Sequence, residues 1–317
     1  MEKEIDELII KLHDSGFIAN KSLATTLTLM EHLSRPLLIE GEPGVGKTTI
    51  ASALSQARDT SLIRIQCFEG IDASSALYEW NYTRQLLSIR LSEQREKQIT
   101  ESDLYSEEYL LERPLLASIR QSVSPVLLID EIDRADEAFE AFLLEVLSEF
   151  TISIPEIGTL KATTIPRVIL TSNGTRELSD ALRRRCLYHY ADYPDHHTEL
   201  SILKSHLPNV AHLLLEQVTF FVQQMRTWEM IKRPGVAETL DWAKALCGFD
   251  ITDLRHHSSL FETTLSCLIK THEDQNIANS DALGKIILPG SPIEAGLREA
   301  QVSEPLLEEL SSQTDHG

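Results

Sequence analysis

Short apolar runs punctuate the first 190 residues of the chain, each followed by a stretch whose apolar residues recur at helical spacing. Residues 1–34 read as helical, with Asn20 as N-cap for "KSLATTLTLMEHL", in which Leu23, Leu27, Met30 and Leu33 share one face. "PLLIE" predicts a short buried strand and "TTIASALSQA" an amphipathic helix. "SLIRIQC" (61–67) alternates as a strand does, and "ASSALYEWNYTRQLLSIRLSEQ" reads as a helical or part-helical excursion. "SPVLLIDEID" (124–133) predicts a buried strand ending in carboxylates, and "DEAFEAFLLEVLSEF" an amphipathic helix. "TISIPEIGTLKAT" has the pattern of a hairpin turning near Gly158. "RVILTSN" (167–173) predicts a further strand and "LSDALRRRC" a short helix.

From Tyr193 onward the strand patterns stop. "TELSILKSHL", "HLLLEQVTFFVQQMRTWEM" and "VAETLDWAKALCGF" are helical, and another helix is expected near 258–271. Strands alternating with helices, then helices alone, predict an α/β domain on a parallel sheet and a smaller all-helical domain. The expected boundary lies near Pro194, giving a core over 1–193, a helical domain over 194–295 and an acidic, loosely ordered tail over 296–317.

Composition narrows the function classes. The 317 residues carry 49 acidic and 29 basic side chains, a formal net charge of −20. A field of that sign repels phosphate backbones and disfavours general nucleic-acid binding. No run approaches the ~18 apolar residues that span a bilayer, and "MEKEIDELII" lacks the basic stretch and apolar core of a signal peptide. Cys67, Cys186, Cys247 and Cys267 are widely spaced, as in neither a zinc site nor a disulfide framework, so the expected location is the reducing cytoplasm. His196–His197 and His256–His257 are adjacent pairs without converging ligands, and read as surface histidines.

The chemistry concentrates after the first predicted strand. Gly41, Gly46, Lys47 and Thr48 match G-x-x-x-x-G-K-[ST] in a strand–loop–helix setting. Gly41, Gly44 and Gly46 let successive backbone N–H groups turn inward around a phosphate, and the helix start adds the positive end of its dipole. The loop comprises Gly41, Glu42, Pro43, Gly44, Val45, Gly46, Lys47, Thr48 and Thr49. In it Lys47 would reach the β- and γ-phosphates of a nucleotide, and the Thr48 hydroxyl would ligate Mg²⁺.

"VLLIDEID" delivers Asp130 and Glu131 to a strand's C-terminal end, where ligands gather in such sheets. Asp130 would hold Mg²⁺ through its water shell, and Glu131 would orient and deprotonate an attacking water. Asn173, at the end of "LTSN", stands where an amide could hold that water. In "DALRRRC", Arg185 is the candidate to reach a neighbouring subunit's γ-phosphate as an arginine finger. A site completed in trans implies a ring.

These elements, in this order, resemble the AAA+ ATPases. "IPEIGTLKA" followed by "VILTSN" looks like the hairpin and sensor strand of the MoxR branch. "CFEGIDASSALYEWNYTRQLLSIR" and "KRPGVAETLDWAKAL" resemble the subgroup typified by the carbon monoxide dehydrogenase accessory ATPase. The resemblance covers roughly residues 20–250. It implies a nucleotide loop at Gly41–Thr48, a Walker B pair at Asp130–Glu131, sensor 1 at Asn173 and the finger at Arg185. MoxR proteins often have "DRF" at the last site; here it is "RRC", and Arg184 competes. For the lid arginine, sensor 2, Arg233 and Lys232 are both candidates. The family further implies a hexameric ring, a partner with a von Willebrand factor A domain, and ATP-driven remodelling or metal-cofactor maturation of a client enzyme or complex.

Three other readings stand against this. A restriction-type nucleic-acid motor is opposed by the acidic balance and the lack of a basic, aromatic-rich stripe. A small-molecule kinase is opposed by the Asp–Glu pair, since it needs no water-activating carboxylate. A nucleotide-binding scaffold without hydrolysis is opposed by the intact residue set. Tyr78, Trp80 and Tyr82, in an insert around residues 70–95, read as packing residues or as client-gripping ones.

Overall fold

The computed structural model describes residues 1–94, 100–254 and 263–278. In chain order the first part runs α1 (Glu2–Asp14), α2 (Lys21–Leu33), β1 (Leu37–Gly41), α3 (Lys47–Ala57), β2 (Leu62–Gln66), α4 (Ala73–Leu77), β3 (Tyr78–Trp80), α5 (Tyr82–Gln94), α6 (Glu101–Leu104) and β4 (Leu110–Glu112). It continues with α7 (Pro114–Ile119), β5 (Val126–Asp130), α8 (Glu137–Glu149), β6 (Thr151–Ile154), β7 (Gly158–Lys161), β8 (Arg167–Ser172), α9 (Asp180–Arg185) and β9 (Leu187–Ala191). Then come α10 (His196–His206), α11 (His212–Met225), α12 (Val236–Gly248) and a short helix His272–Ile277. Asn20 caps α2, its side chain accepting from the Leu23 N–H at 2.8 Å.

Five parallel strands form one sheet in the order β2–β5–β8–β1–β9. The parallel α/β class expected from alternating strand and helix patterns is what the structure has. β5 is buried at every position, as a strand covered on both faces requires. Side-chain alternation divides the sheet cleanly. Leu37, Ile39, Val126, Leu128 and Ile169 pack with residues of α1, α2 and α3. Leu38, Leu127, Ile129, Val168 and Leu170 pack with α7 and α8 on the other side. Glu31 of α2 binds both Arg58, beyond α3, and Arg167 of β8, tying three elements together. At the last residue of β1 only glycine fits, since a Cβ on Gly41 would lie 2.1 Å from the Ala191 carbonyl oxygen of β9.

Three elements differ from the sequence-based expectation. The excursion after β2 contains a strand, β3, paired antiparallel with β4. Trp80 is buried there, edge-on to Tyr78 and Tyr105, whereas Tyr82 is exposed. β9 was not expected: its alternation is muted, with Tyr188 and Tyr190 exposed on a sheet edge. α11 ends at Met225 rather than continuing through Met230. The hairpin forms as expected, with Ile154 opposite Gly158. Of the helix expected over 258–271, residues 258–262 lie outside the described residues, and the remainder holds a 3₁₀ turn, Leu265–Cys267. The expected acidic tail and His256–His257 also lie outside them.

The chain divides into two compact units, one of Met1–Glu42 with Lys47–Ala191, the other of Pro43–Gly46 with Asp192–Gly317. The second has its own core around Phe221, Val222, Met225, Trp242 and Leu246. Beside that core lies a buried ion pair. Arg226 donates to both carboxylate oxygens of Glu199 at 2.6 and 2.7 Å and to the Pro234 carbonyl at 2.8 Å, and Thr239 donates to Glu199. The Arg226 and Glu199 side chains are only 6% and 0% exposed, so neither charge can be left alone cheaply. Arg226→Ala should destabilise this unit by about 3–5 kcal/mol, read as an earlier urea midpoint; a change below ~1 kcal/mol would contradict that role.

Candidate active site

The loop Glu42–Gly46 runs between β1 and α3, and its two positive-φ positions, Gly44 (+81°) and Gly46 (+91°), are glycines. Within the second unit, the Val236 N–H donates to the Gly44 carbonyl at 3.0 Å, and a Cβ on Gly235 would lie 2.7 Å from Gly44. Lys47 opens α3 and is buried, its Nζ donating to the Gly41 and Glu42 carbonyls at 2.6 and 2.8 Å. Burial draws its amine below the ordinary lysine value, while the nearby carboxylates of Asp133, Glu42, Asp130 and Glu131 oppose that. The ammonium is thus folded over its own loop, amid negative charge.

β5 delivers Asp130 to the sheet's C-terminal edge, on the face that α3 covers. Its carboxylate is 4% exposed. Thr171 of β8 donates to Oδ1 at 2.5 Å, Thr48 of α3 at 3.1 Å, and Arg64 of β2 donates to Oδ2 at 2.5 Å. Thr171 also accepts the Glu131 N–H at 3.0 Å. Glu131 takes the left-handed conformation, φ +55°, which turns its side chain out of the strand alternation. There its Oε2 accepts from Gln66 Nε2 at 3.0 Å and forms an ion pair with Arg134 Nε at 3.1 Å.

Asn173 follows β8 directly. Its N–H donates to Asp133 Oδ2 at 3.2 Å, and that oxygen also accepts from the Thr175 N–H and hydroxyl. Burial raises the Asp133 carboxyl, but these hydrogen bonds outweigh it and hold the group below the ordinary aspartate value. Neighbouring Cys67 is buried among the same carboxylates, and its thiol is pushed up to about 12, which leaves it protonated and unreactive.

The three arginines of α9 go separate ways. Arg183 pairs with Glu40 of β1 at 3.3 Å, Arg184 with Asp180 of its own helix at 2.9 Å, and Arg185 donates to the Leu144 carbonyl of α8 at 2.6 Å. The Arg184 side chain is 80% exposed. Arg35 donates to the carbonyls of both Arg184 and Arg185, fixing the helix end. Lys232 and Arg233 are exposed in the second unit before α12.

Lys47, Thr48, Asp130 and Glu131, singled out by motif, come together at the ends of β1, β5 and β8. A hydroxyl and a carboxylate in hydrogen-bond contact are hard oxygen donors of the kind Mg²⁺ selects, and Thr48 and Asp130 would hold it. The left-handed glycines and a buried lysine suit a polyphosphate. Motif reasoning passed over Arg64, Gln66, Thr171, Asp133 and Arg134. Arg64, Gln66 and Thr171 share a sheet face with Asp130 through cross-strand register, which the sequence does not disclose.

Because the Asp133 value is depressed, the stability it confers is full above the ordinary aspartate range, about pH 4, and is lost as pH falls through its lower folded value. Asp133→Asn should therefore cost roughly 1–3 kcal/mol at pH 7, with the gap from the parent narrowing as pH falls below the ordinary aspartate range. Urea unfolding at pH 7 and at a series of acidic pH values checks it; a gap that does not change with pH would contradict it.

Residues 36–186 match the AAA domain of the dynein-related subfamily. An uncharacterized protein of Staphylococcus haemolyticus, SH1500, is 25% identical over 83% of this chain and 95% of its own length. The gas vesicle ATPase GvpN of Haloferax mediterranei is 24% identical over 86% of this chain and 80% of its own length. Among solved structures, the Thermotoga maritima RuvB Holliday junction branch migration motor aligns over 80% of this chain and 69% of its own at 18% identity, with a TM-score of 0.43. Residues 36–186 carry an AAA domain on the AAA+ P-loop fold, and the protein is an ATP hydrolase that uses ATP with Mg²⁺.

Proposed function

We propose that this ATPase drives chaperone-like remodelling or maturation of a client protein or enzyme complex, as a homo-oligomeric ring, probed most directly through Glu131. The observation that carries the hydrolytic half is the pairing of a metal-side carboxylate, Asp130, with a second carboxylate that the left-handed turn aims away from the strand. Bound Mg²⁺ would neutralise phosphate charge; this chain's own part is to hold the phosphates with the loop amides and Lys47, and to accept a water proton at the Glu131 carboxylate. Asn173, anchored through its backbone to Asp133, is assigned to orient that water.

For the client half, the likeness to proteins named gas vesicle ATPases supports work on a protein assembly. The net charge of −20 supports a protein partner over a phosphate backbone. The finer assignment is the MoxR branch and its carbon monoxide dehydrogenase accessory subgroup, with a von Willebrand factor A domain partner and a metalloenzyme client in the cytoplasm. It rests on the sequence segments quoted above. Arg185, with Arg184 as its competitor, is assigned to a neighbour's γ-phosphate, which requires Arg185 to release the Leu144 carbonyl. Arg233, with Lys232 as its competitor, is assigned to the nucleotide from the helical domain.

Glu131→Gln should bind ATP as the parent does and lose about 10²–10⁴ in kcat. Phosphate release and nucleotide affinity measured side by side check it; undiminished turnover would place the base elsewhere. Stimulation of turnover by DNA, lost at high salt, would favour the nucleic-acid motor instead.

A further inference from the structure

Both carboxylates of the site are held by one strand. Arg64 and Gln66 lie two residues apart on β2, hence on one face, and Gln66 is in register with Asp130 of β5. Arg64 Nη2 donates to Asp130 Oδ2 at 2.5 Å and to Gln66 Oε1 at 2.6 Å. The amide of the same glutamine donates to Glu131 Oε2 at 3.0 Å. A continuous chain of hydrogen bonds thus runs from Asp130 through Arg64 and Gln66 to Glu131.

From this we infer that Arg64 is a positioning residue that competes with the divalent cation for Asp130. The inference deepens the hydrolytic reading and rests on its assignment of Asp130. Asp130 is nearly sealed, whereas the Arg64 side chain is 51% exposed, so the carboxylate is the fixed partner and the guanidinium the one with room to leave. A buried carboxylate needs a compensating positive charge. Arg64 supplies it at Oδ2, while Thr171 donates to Oδ1 and the Thr48 hydroxyl lies between the two oxygens, at 3.1 Å from Oδ1 and 3.3 Å from Oδ2. A divalent cation served by the same carboxylate repels the guanidinium, so the two alternate.

The test follows binding of a fluorescent, non-hydrolysable imido analogue of ATP to the full chain while Mg²⁺ is titrated, with Mn²⁺ uptake followed by electron paramagnetic resonance as a direct metal readout. Arg64→Met keeps length and loses charge. It should lower the Mg²⁺ midpoint at least about threefold and tighten Mn²⁺ uptake, with nucleotide affinity at saturating Mg²⁺ unchanged. Arg64→Lys should give an intermediate midpoint. An unchanged or raised midpoint in both variants, with nucleotide affinity intact, would overturn the inference and leave the ATPase reading standing. A parent protein that binds no nucleotide at any Mg²⁺ concentration would overturn both.

Discussion

A carboxylate that is almost wholly out of water, Asp130, is the constraint around which this site is organised. A charge there survives only if hydrogen-bond donors and a cation surround it, and the sheet recruits them from three directions. β8 supplies Thr171, α3 supplies Thr48 and β2 supplies Arg64. The same hydroxyl of Thr171 that serves Asp130 receives the backbone of Glu131, so the strand's last residue and the first residue beyond it are fixed as a pair. The phosphate loop is tied to this arrangement through α3, which begins at Lys47 and places Thr48 against the carboxylate.

Sheet topology explains why these partners meet. β5 lies between β2 and β8, so its C-terminal residue has a neighbour on either side. β1 lies on the far side of β8 and is held against β9 by a contact that admits only glycine at position 41. The chain therefore leaves the sheet after β1 at a point set by backbone packing. Ligands at the carboxyl ends of parallel strands are the general case for such folds.

How much of this the sequence disclosed depended on whether the information was local. The loop was legible because Gly41 to Thr48 are contiguous, and the Asp130–Glu131 pair because an apolar run ends there. The roles of Arg64, Gln66 and Thr171 depend on cross-strand register, which no linear spacing encodes. β9 escaped because an edge strand with exposed tyrosines carries little apolar alternation. The short β3 escaped because three residues between two helices leave no period to read. At α9 the arginine run was plain, but its division among Glu40, Asp180 and the Leu144 carbonyl is a matter of tertiary neighbours.

The account stands on Asp130 being the residue through which divalent cation strengthens nucleotide binding. Calorimetric titration of ATP into the parent and into Asp130→Asn, each in Mg²⁺ and in chelator, measures this directly. The account predicts that the two proteins bind alike in chelator and that the gain in affinity conferred by Mg²⁺ disappears in the variant. A variant that keeps the full gain would contradict it.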